Sequence, residues 1–223
     1  MEPRLQLFLN GGGDSSDTAP VDREFVRALG DGPLLYWPFA RAPETYAKCL
    51  VWFTELISGF GATRIEMWSQ LDKEPRSLSR YGGLYIGGGD TYRLFARLVE
   101  SGFDRVLSDA AVGGLPVFGG SAGAIILGAD IATWVSDGAE RPRTEMARGL
   151  DLLDGYSVWP EYEERDAPAT QAWLASRRSP LLGLGCAASV IVRNGEMYAL
   201  GREPVVRIDA RGRTEISDGE RVA

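Results

Sequence analysis

The sequence predicts a single α/β domain built on a parallel β-sheet with helices on both faces. Short apolar runs alternate with longer segments of helical periodicity, which is the pattern of strands joined by crossover helices. Glycine-rich stretches follow three of the predicted strands, at 11–13, 87–89 and 119–120. Because parallel strands end at one edge of a sheet, we expect these stretches to lie together there and to border a ligand site.

The first half of the chain carries most of the predicted parallel sheet. The run 44–58 is the clearest helix, with Tyr46, Leu50, Phe53 and Ile57 at spacings of three and four. Apolar runs typical of buried strands occur at 5–9, 34–39, 63–68, 83–86 and 116–118, and helices are predicted at 21–29, 44–58, 91–101, 103–112 and 125–127.

The last third of the chain changes character and predicts a C-terminal β-hairpin. Strands are predicted at 156–159, 181–184, 189–193, 197–200 and 205–209, and a helix at 168–177. Asn194-Gly195 lies between two of these strands and is typical of a tight hairpin turn. We therefore expect one α/β hydrolase-like domain over 1–210, followed by a polar tail over 211–223 that is free to fray.

Composition narrows the functional classes. The 223 residues carry a net charge of −7, which disfavours nucleic acid and anionic membranes as partners. Cys49 and Cys186 do not form a disulfide framework, and the N-terminus has no apolar signal-peptide core, so we expect a cytoplasmic monomer or homodimer. Histidine is absent altogether, which removes the usual general base and the commonest metal ligand. We expect no metal, and no cofactor either, since neither 11–13 nor 87–89 matches a dinucleotide-binding pattern.

The segment Gly119-Gly120-Ser121-Ala122-Gly123-Ala124 carries the chemistry. It follows a strand and opens an apolar helix, which is the setting of a nucleophile elbow. That geometry holds the Ser121 hydroxyl at the sheet edge, near backbone N–H groups that favour a developing anion. The alternative is a glycine-rich turn in which Ser121 merely caps the helix.

Several segments resemble the peptidase E family, which includes aspartyl dipeptidase and cyanophycinase. The run 85–94, with Gly87-Gly88-Gly89-Asp90-Thr91, resembles that family's Gly-Gly-Gly-Asn-Thr segment, and 120–124 resembles its nucleophile segment. The resemblance implies a fold like that of class I glutamine amidotransferases and hydrolysis of small Asp-containing peptides. It also implies an oxyanion hole made by the backbone N–H groups of Ala122 and of Gly88 or Gly89, with Asp90 replacing the family's asparagine.

The remaining catalytic residues of the family are not matched. Glu161, in Trp159-Pro160-Glu161-Tyr162, stands where the resemblance implies the catalytic histidine, and Cys186 stands where it implies the acidic residue. Asp137 matches a family aspartate near the site. A carboxylate with an ordinary pKa of about 4.3 is a weak base at neutral pH, so turnover should be low unless burial beside Asp137 or Glu163 raises the pKa of Glu161.

The sequence is compatible with more than one function. The chain is either an atypical serine peptidase or a pseudoenzyme that keeps the pocket as a small-ligand site. A subunit-interface role for Trp52 or Trp68 is a further alternative, although such residues are more often in the core. Cys186 is a second nucleophile or, more simply, a small buried apolar residue. The acidic run Glu161, Glu163, Glu164 and Asp166 is a solvated loop or a site for a cation or substrate amine.

Overall fold

A computed structural model of the chain describes residues 5–74, 77–133 and 147–223. The strands are β1 (Gln6–Asn10), β2 (Leu34–Trp37), β3 (Ile65–Met67), β4 (Gly83–Ile86), β5 (Val117–Gly120), β6 (Ser157–Pro160), β7 (Leu181–Leu184), β8 (Ala188–Arg193), β9 (Glu196–Gly201), β10 (Val205–Asp209) and β11 (Gly212–Ile216). The helices are α1 (Ser15–Ala28), α2 (Tyr46–Ser58), α3 (Thr91–Ser101), α4 (Phe103–Val112), α5 (Ala122–Leu127) and α6 (Ala167–Arg177).

The larger sheet has seven strands in the order β3-β2-β4-β5-β1-β8-β9. The first five are parallel, and β8 and β9 continue the sheet in antiparallel fashion. Alternate residues of β1 face opposite sides: Leu7 and Leu9 pack into the core beneath α3, α4 and α5, whereas Phe8 packs into the core beneath α1 and α2. The predicted parallel sheet with helices on both faces is therefore confirmed.

A second sheet of four strands, in the order β11-β10-β7-β6, was not anticipated from the sequence. Its strands β6 and β7 run parallel, and β10 and β11 add to it in antiparallel fashion. Val158 and Leu182 on one face join the core beneath α5, while Leu181 and Ile208 on the other face are covered by α6. These four strands thus form a second layer that shares part of its core with the first sheet.

The expectation of a fraying C-terminal tail was wrong. Residues 212–216 form β11, which pairs with β10 along its whole length. Arg221 bridges to Tyr198, and Val222 is fully buried. The sequence of this segment is polar because β11 is an edge strand, in which residues 212–215 are exposed and Ile216 is buried.

The turn chemistry of the β8–β9 hairpin was predicted correctly. Asn194 and Gly195 both have positive φ, 57° and 79°, as a two-residue turn with the twist of the flanking strands requires. The hairpin extends the larger sheet beyond β1.

Helix α1 begins at Ser15, six positions before the predicted start at Val21. The Asp14 carboxylate accepts hydrogen bonds from the N–H groups of Ser16 and Asp17, and the Asp17 carboxylate accepts the N–H of Asp14 in return. This reciprocal cap starts the helix before its apolar stripe does. The earlier start matters because it brings Asp14 and Thr18 to the carboxyl edge of the sheet.

The two tryptophans considered for an interface differ sharply. Trp68 is 3% exposed and packs against Trp37 in the core, so an interface role for it is wrong. Trp52 lies on the outer face of α2 and is 50% exposed.

Among the described residues, no helix is long and apolar enough to cross a membrane.

Candidate active site

Ser121 occupies a sharp bend between β5 and α5. Its φ of 49° lies in the left-handed region, which is uncommon outside glycine and concentrates at functional sites. The Ser121 N–H donates to the carbonyl of Asn10 at 3.0 Å, and the Ser121 carbonyl accepts the N–H of Ile125 at 3.0 Å. The side chain makes no capping hydrogen bond with the helix. The alternative in which Ser121 merely caps α5 is therefore wrong, and the elbow geometry is present.

The elbow depends on a missing side chain at Gly119. A Cβ atom added there would lie 2.6 Å from the carbonyl carbon and oxygen of Gly123. Such a distance is well inside van der Waals contact, so any larger residue would push the first turn of α5 away from β5.

Ser121 opens into a cavity of about 200 Å³ at the carboxyl edge of the larger sheet. Ser121 itself is partly buried. The walls of the cavity are formed by the segments that follow β1, β2, β4, β5 and β6 and by α1 and α2. The lining residues are Asn10, Gly12, Gly13, Asp14, Thr18, Arg41, Trp52, Leu56, Tyr85, Gly88, Gly89, Gly120, Ser121 and Glu161. The three glycine-rich stretches thus meet in one place, as the sequence predicts.

The strand order of the larger sheet determines which segments of the cavity wall lie next to each other. Because the order is β2-β4-β5-β1, the segments that follow these strands lie side by side along the edge. They place Arg41 after β2, Gly88 and Gly89 after β4, Ser121 after β5, and Gly12 after β1. Ser121 therefore has a glycine loop on each side.

Backbone donors suited to an oxyanion lie beside Ser121. A Cβ added to Gly88 would lie 3.7 Å from the Ser121 Oγ, so that backbone passes directly by the hydroxyl. Within the described part of the chain, no group accepts a hydrogen bond from the N–H of Gly88 or Gly89. Ala122 is the first residue of α5, where N–H groups lack partners inside the helix. These three N–H groups can thus serve a ligand oxygen.

Glu161 lines the same cavity from the side of β1. It has a φ of 50°, and its N–H donates to the carbonyl of Gly11 at 3.1 Å, which links the second sheet to the edge of the first. Its side chain lies over Gly12, with Cγ 3.1 Å from the position that a Cβ would take there. The burial that would favour Glu161 as a base is not found: the left-handed turn leaves this side chain exposed at the cavity and buries Tyr162 instead.

The Ser121 Oγ makes no hydrogen bond to Glu161 or to any other residue that the structure describes. A Ser–base pair in direct contact is thus not formed in this unliganded arrangement.

Cys186 lies near Glu161 but does not line the cavity. It is exposed, so the interpretation as a buried apolar residue was wrong. Partial desolvation raises the pKa of its thiol, and the negative charge of Glu161 raises it further. Since the thiolate is the reactive form, both effects disfavour Cys186 as a second nucleophile.

The other acidic candidates occupy separate places. Asp90 is the N-terminal cap of α3, accepts the N–H of Arg93 at 2.9 Å and lines a neighbouring cavity rather than that of Ser121. Asp137 lies outside the described residues. Glu163 pairs with Arg165 and Glu164 with Arg213.

The remaining carboxylate of the acidic run, Asp166, accepts the N–H of Glu163 at 2.9 Å. Within the described ranges, no three His, Cys, Asp or Glu side chains converge as a potential metal site. The acidic run is therefore best described as a solvated, ion-paired loop.

A buried carboxylate lies beneath the cavity floor. Asp22, on α1, is fully buried and neither of its side-chain oxygens has a hydrogen-bond partner among the described residues. Burial raises its pKa to about 6, against a smaller opposing effect of the Thr18 hydroxyl. Burial also raises the pKa of Tyr85, and the charge of Asp22 adds to that shift. Thr18 and Tyr85 both line the cavity.

Several residues of the cavity were not predicted from the sequence, among them Asn10, Arg41 and Trp52. Asn10 is buried, and its side chain receives the N–H of Gly12 at 2.8 Å while it donates to Ser189 Oγ at 3.1 Å. Arg41 donates from Nε to the carbonyl of Gly88 at 2.8 Å. Trp52 forms part of the rim. Two sequence signals were available, namely a polar residue, Asn10, at the end of one buried strand and a cation, Arg41, shortly after another. Both positions fall at the ligand-binding edge of such sheets.

Comparison with known proteins identifies the family of the chain. A protein-family model described as Peptidase family S51 matches residues 7–200, which is most of the chain. The chain belongs to peptidase family S51. The resemblance to the peptidase E family is confirmed.

Individual S51 relatives show likeness in sequence and in fold. Two cyanophycinases, from Synechococcus elongatus and Thermosynechococcus vestitus, are each 32% identical over 140 residues, which cover 60% of this chain and 44% of theirs. The chain thus spans less than half the length of these curated relatives.

Two solved structures share the fold. A peptidase from an acI-B1 Actinobacterium superposes with a TM-score of 0.78 at 16% identity, covering 100% of this chain and 98% of its own. A putative peptidase E from Listeria monocytogenes EGD-e superposes with a TM-score of 0.66 at 20% identity, covering 89% and 98%.

Membership of S51 makes a peptidase-type hydrolase the general expectation for this site. The sequence holds no histidine, so an imidazole from this chain cannot act as the base. Among the described lining residues, the cavity contains the hydroxyl groups of Ser121, Thr18 and Tyr85, two carboxylates, one guanidinium, the Asn10 amide and backbone amides.

Proposed function

We propose that the chain is a serine-type hydrolase that cleaves small Asp-containing peptides or related amides, with Ser121 as nucleophile and Glu161 in place of the usual histidine. The observation that carries the proposal is the meeting of three features in one cavity of about 200 Å³: a serine at a strained elbow, unoccupied backbone donors beside it, and a carboxylate across from it.

The chemistry follows from this placement. The Ser121 oxygen attacks the carbonyl carbon of the scissile amide, and its proton passes to the Glu161 carboxylate. The carbonyl oxygen takes up the negative charge and is stabilised by the N–H groups of Ala122 and of Gly88 or Gly89. The protonated Glu161 then gives its proton to the departing amine, and water releases the acyl group from Ser121 in a second step of the same kind.

Turnover is expected to be slow compared with that of a serine peptidase containing histidine. Loss of a triad base costs up to about 10⁶-fold in turnover, while oxyanion stabilisation and substrate binding retain part of the catalysis. The exposure of Glu161 removes the assistance that burial would have given it as a base.

The test measures the reactivity of the Ser121 hydroxyl group. A serine-reactive fluorophosphonate should label the wild-type protein, and Ser121→Ala should abolish both labelling and the hydrolysis of Asp-Xaa dipeptides across pH 4 to 9. Ser176→Ala, which removes an exposed hydroxyl on α6, is the matched control and should leave both intact. Equal turnover by the wild type and Ser121→Ala on a broad dipeptide panel rules out the hydrolase.

A second candidate is a pseudoenzyme that binds a small ligand in the same cavity. The observation that favours it is the Ser121 Oγ, which accepts and donates no hydrogen bond within the described residues. This candidate predicts saturable binding of a small acidic or amide ligand without labelling or turnover. A thermal-shift screen that finds no stabilising ligand counts against it.

A further inference from the structure

Arg41 stands between two cavities. It lines the Ser121 cavity and also a neighbouring cavity of about 380 Å³. The two cavities share Arg41 and Gly89, so they adjoin each other at these two residues. The neighbouring cavity lies between the segment after β2 and the start of α3; its lining residues are Ala40, Arg41, Ala42, Thr45, Gly89, Asp90, Thr91, Tyr92 and Arg93.

One nitrogen of the Arg41 guanidinium donates a hydrogen bond within the protein, and the two terminal nitrogens are available to a ligand. Its Nε donates to the carbonyl of Gly88 at 2.8 Å, which fixes the direction of the side chain. The residue is exposed, and across the ranges 5–74, 77–133 and 147–223 it forms no ion pair with a carboxylate. An arginine has five N–H donors in a rigid fork that matches a carboxylate. The terminal nitrogens are thus available to a ligand that reaches the cavity.

The two sides of the Ser121 cavity carry opposite charges. The carboxylates that line its cavity, Asp14 and Glu161, lie on the side of β1, whereas Arg41 is the basic residue among the described lining residues and lies on the side of β2. A substrate that spans the cavity therefore meets negative charge at one end and positive charge at the other.

The position of the group that protonates the departing amine determines which end of the substrate faces Arg41. The group that returns a proton to the departing amine must lie on the leaving-group side of the nucleophile. Glu161 holds that place beyond β1, so the acyl portion of the substrate extends past Gly89 toward β2. The neighbouring cavity then receives whatever side chain the acyl portion carries.

We propose that Arg41 is a specificity-determining residue, which binds a carboxylate on the acyl portion of the substrate while its Nε orients the Gly88–Gly89 peptide. The inference rests on the proposed function in taking the Ser121 cavity as the place where the scissile amide binds. In a planar peptide unit the C=O and N–H point in opposite directions, so holding the Gly88 carbonyl also sets the direction of the Gly89 N–H.

Binding separates this inference from the question of turnover. The affinities of Asp-Leu and Asn-Leu, which differ by a carboxylate against an amide, would be measured by calorimetry in the Ser121→Ala protein. Asp-Leu should bind more tightly. Adding Arg41→Gln should weaken Asp-Leu by on the order of tenfold and Asn-Leu by less than about twofold, since a charge-assisted bidentate pair is lost for one ligand only. Arg41→Lys should restore part of the preference as a point charge.

Arg105→Gln, which removes an exposed cation on α4 outside both cavities, is the matched control and should leave both affinities unchanged. An equal loss for the two dipeptides would show that Arg41 only supports the loop, and undetectable binding of Asp-Leu would overturn the inference outright. Failure of the proposed function has a different signature, namely equal turnover of the wild type and Ser121→Ala, and it leaves the dipeptide preference measurable.

Discussion

The carbonyl of Asn10 accepts the N–H of Ser121 at 3.0 Å, so the end of β1 holds the bend that presents the hydroxyl. The Asn10 side chain accepts the N–H of Gly12, beneath Glu161, and donates to Ser189 Oγ near the start of β8 and to the carbonyls of Cys186 and Ala188. A single buried amide thus fixes the relative positions of the nucleophile loop and the loop beneath the carboxylate.

Asn10→Ala should lower both stability and activity. The substitution leaves the N–H of Gly12 and the buried Ser189 hydroxyl without their partner, which costs about 1–3 kcal/mol in the free energy of unfolding. Urea denaturation measures this loss, and the rate of fluorophosphonate labelling measures the effect on the site. Gln6→Ala, at the other end of β1, is the control and should change the labelling rate little. Equal effects of the two substitutions on labelling would contradict the role assigned to Asn10.

Gly119→Ala should disrupt the elbow. The added methyl would overlap the carbonyl of Gly123, which forces β5 and α5 apart and moves Ser121. We expect a loss of at least about 2 kcal/mol in the free energy of unfolding and no labelling of the folded fraction. Gly59→Ala is the matched control, because φ there is −59° and the added atom meets the nearest oxygen at 3.5 Å. A Gly119→Ala protein with wild-type stability and labelling would exclude the tight packing described for the elbow.

Glu161→His should raise activity at neutral pH. A histidine tolerates the φ of 50° found at this position, and its imidazole takes and returns a proton near pH 7. We expect kcat/KM at pH 7.5 to rise by on the order of 10²-fold, with a larger gain when Cys186→Glu supplies an orienting carboxylate. The measurement is dipeptide hydrolysis as a function of pH.

The matched control for that substitution is Glu161→Gln, which keeps the size of the side chain and removes its basicity. It should reduce hydrolysis below that of the wild type. Retention of full turnover in Glu161→Gln would mean that another group takes the proton from Ser121.

Asp22→Asn should stabilise the protein more at high pH than at low pH. Burial raises the pKa of Asp22 from 3.8 to about 6 in the folded state, so the folded protein binds this proton more tightly than the unfolded chain does. The stability that protonated Asp22 contributes is complete below pH 3.8 and is lost as the pH rises through 6, which corresponds to roughly 3 kcal/mol. The gain from Asp22→Asn should therefore grow by up to that amount between pH 4 and pH 8.

Chemical denaturation at the two pH values measures the difference, with Asp109→Asn, an exposed carboxylate on α4, as control. A gain that is constant with pH would show that Asp22 does not titrate in this range.

The larger sheet and the elbow could be predicted because their signals are local. Gly83–Ile86, Thr91–Ser101 and Phe103–Val112 were predicted at their observed bounds, since each is an apolar run or stripe ended by glycine or started by a cap. The convergence of the three glycine loops followed from the rule that parallel strands end at one edge.

The second sheet, the exposure of Glu161 and the position of Arg41 could not be predicted in the same way. β11 presents a mostly exposed, polar edge, so its pairing with β10 leaves almost no trace in the hydrophobic pattern. The direction of the Glu161 side chain depends on a left-handed backbone conformation that glutamate seldom adopts. The contact between Arg41 and Gly88 joins residues 47 positions apart and depends on strand order.

Trp52, half exposed at the rim of the Ser121 cavity, supplies an optical reporter of occupancy. We expect a ligand in the cavity to cover part of this half-exposed indole and to change its emission, whereas Trp37 and Trp68 are shielded in the core. A titration followed by tryptophan emission, with Trp52→Phe as the blank, would register binding in a protein that turns over too slowly to be assayed by its products.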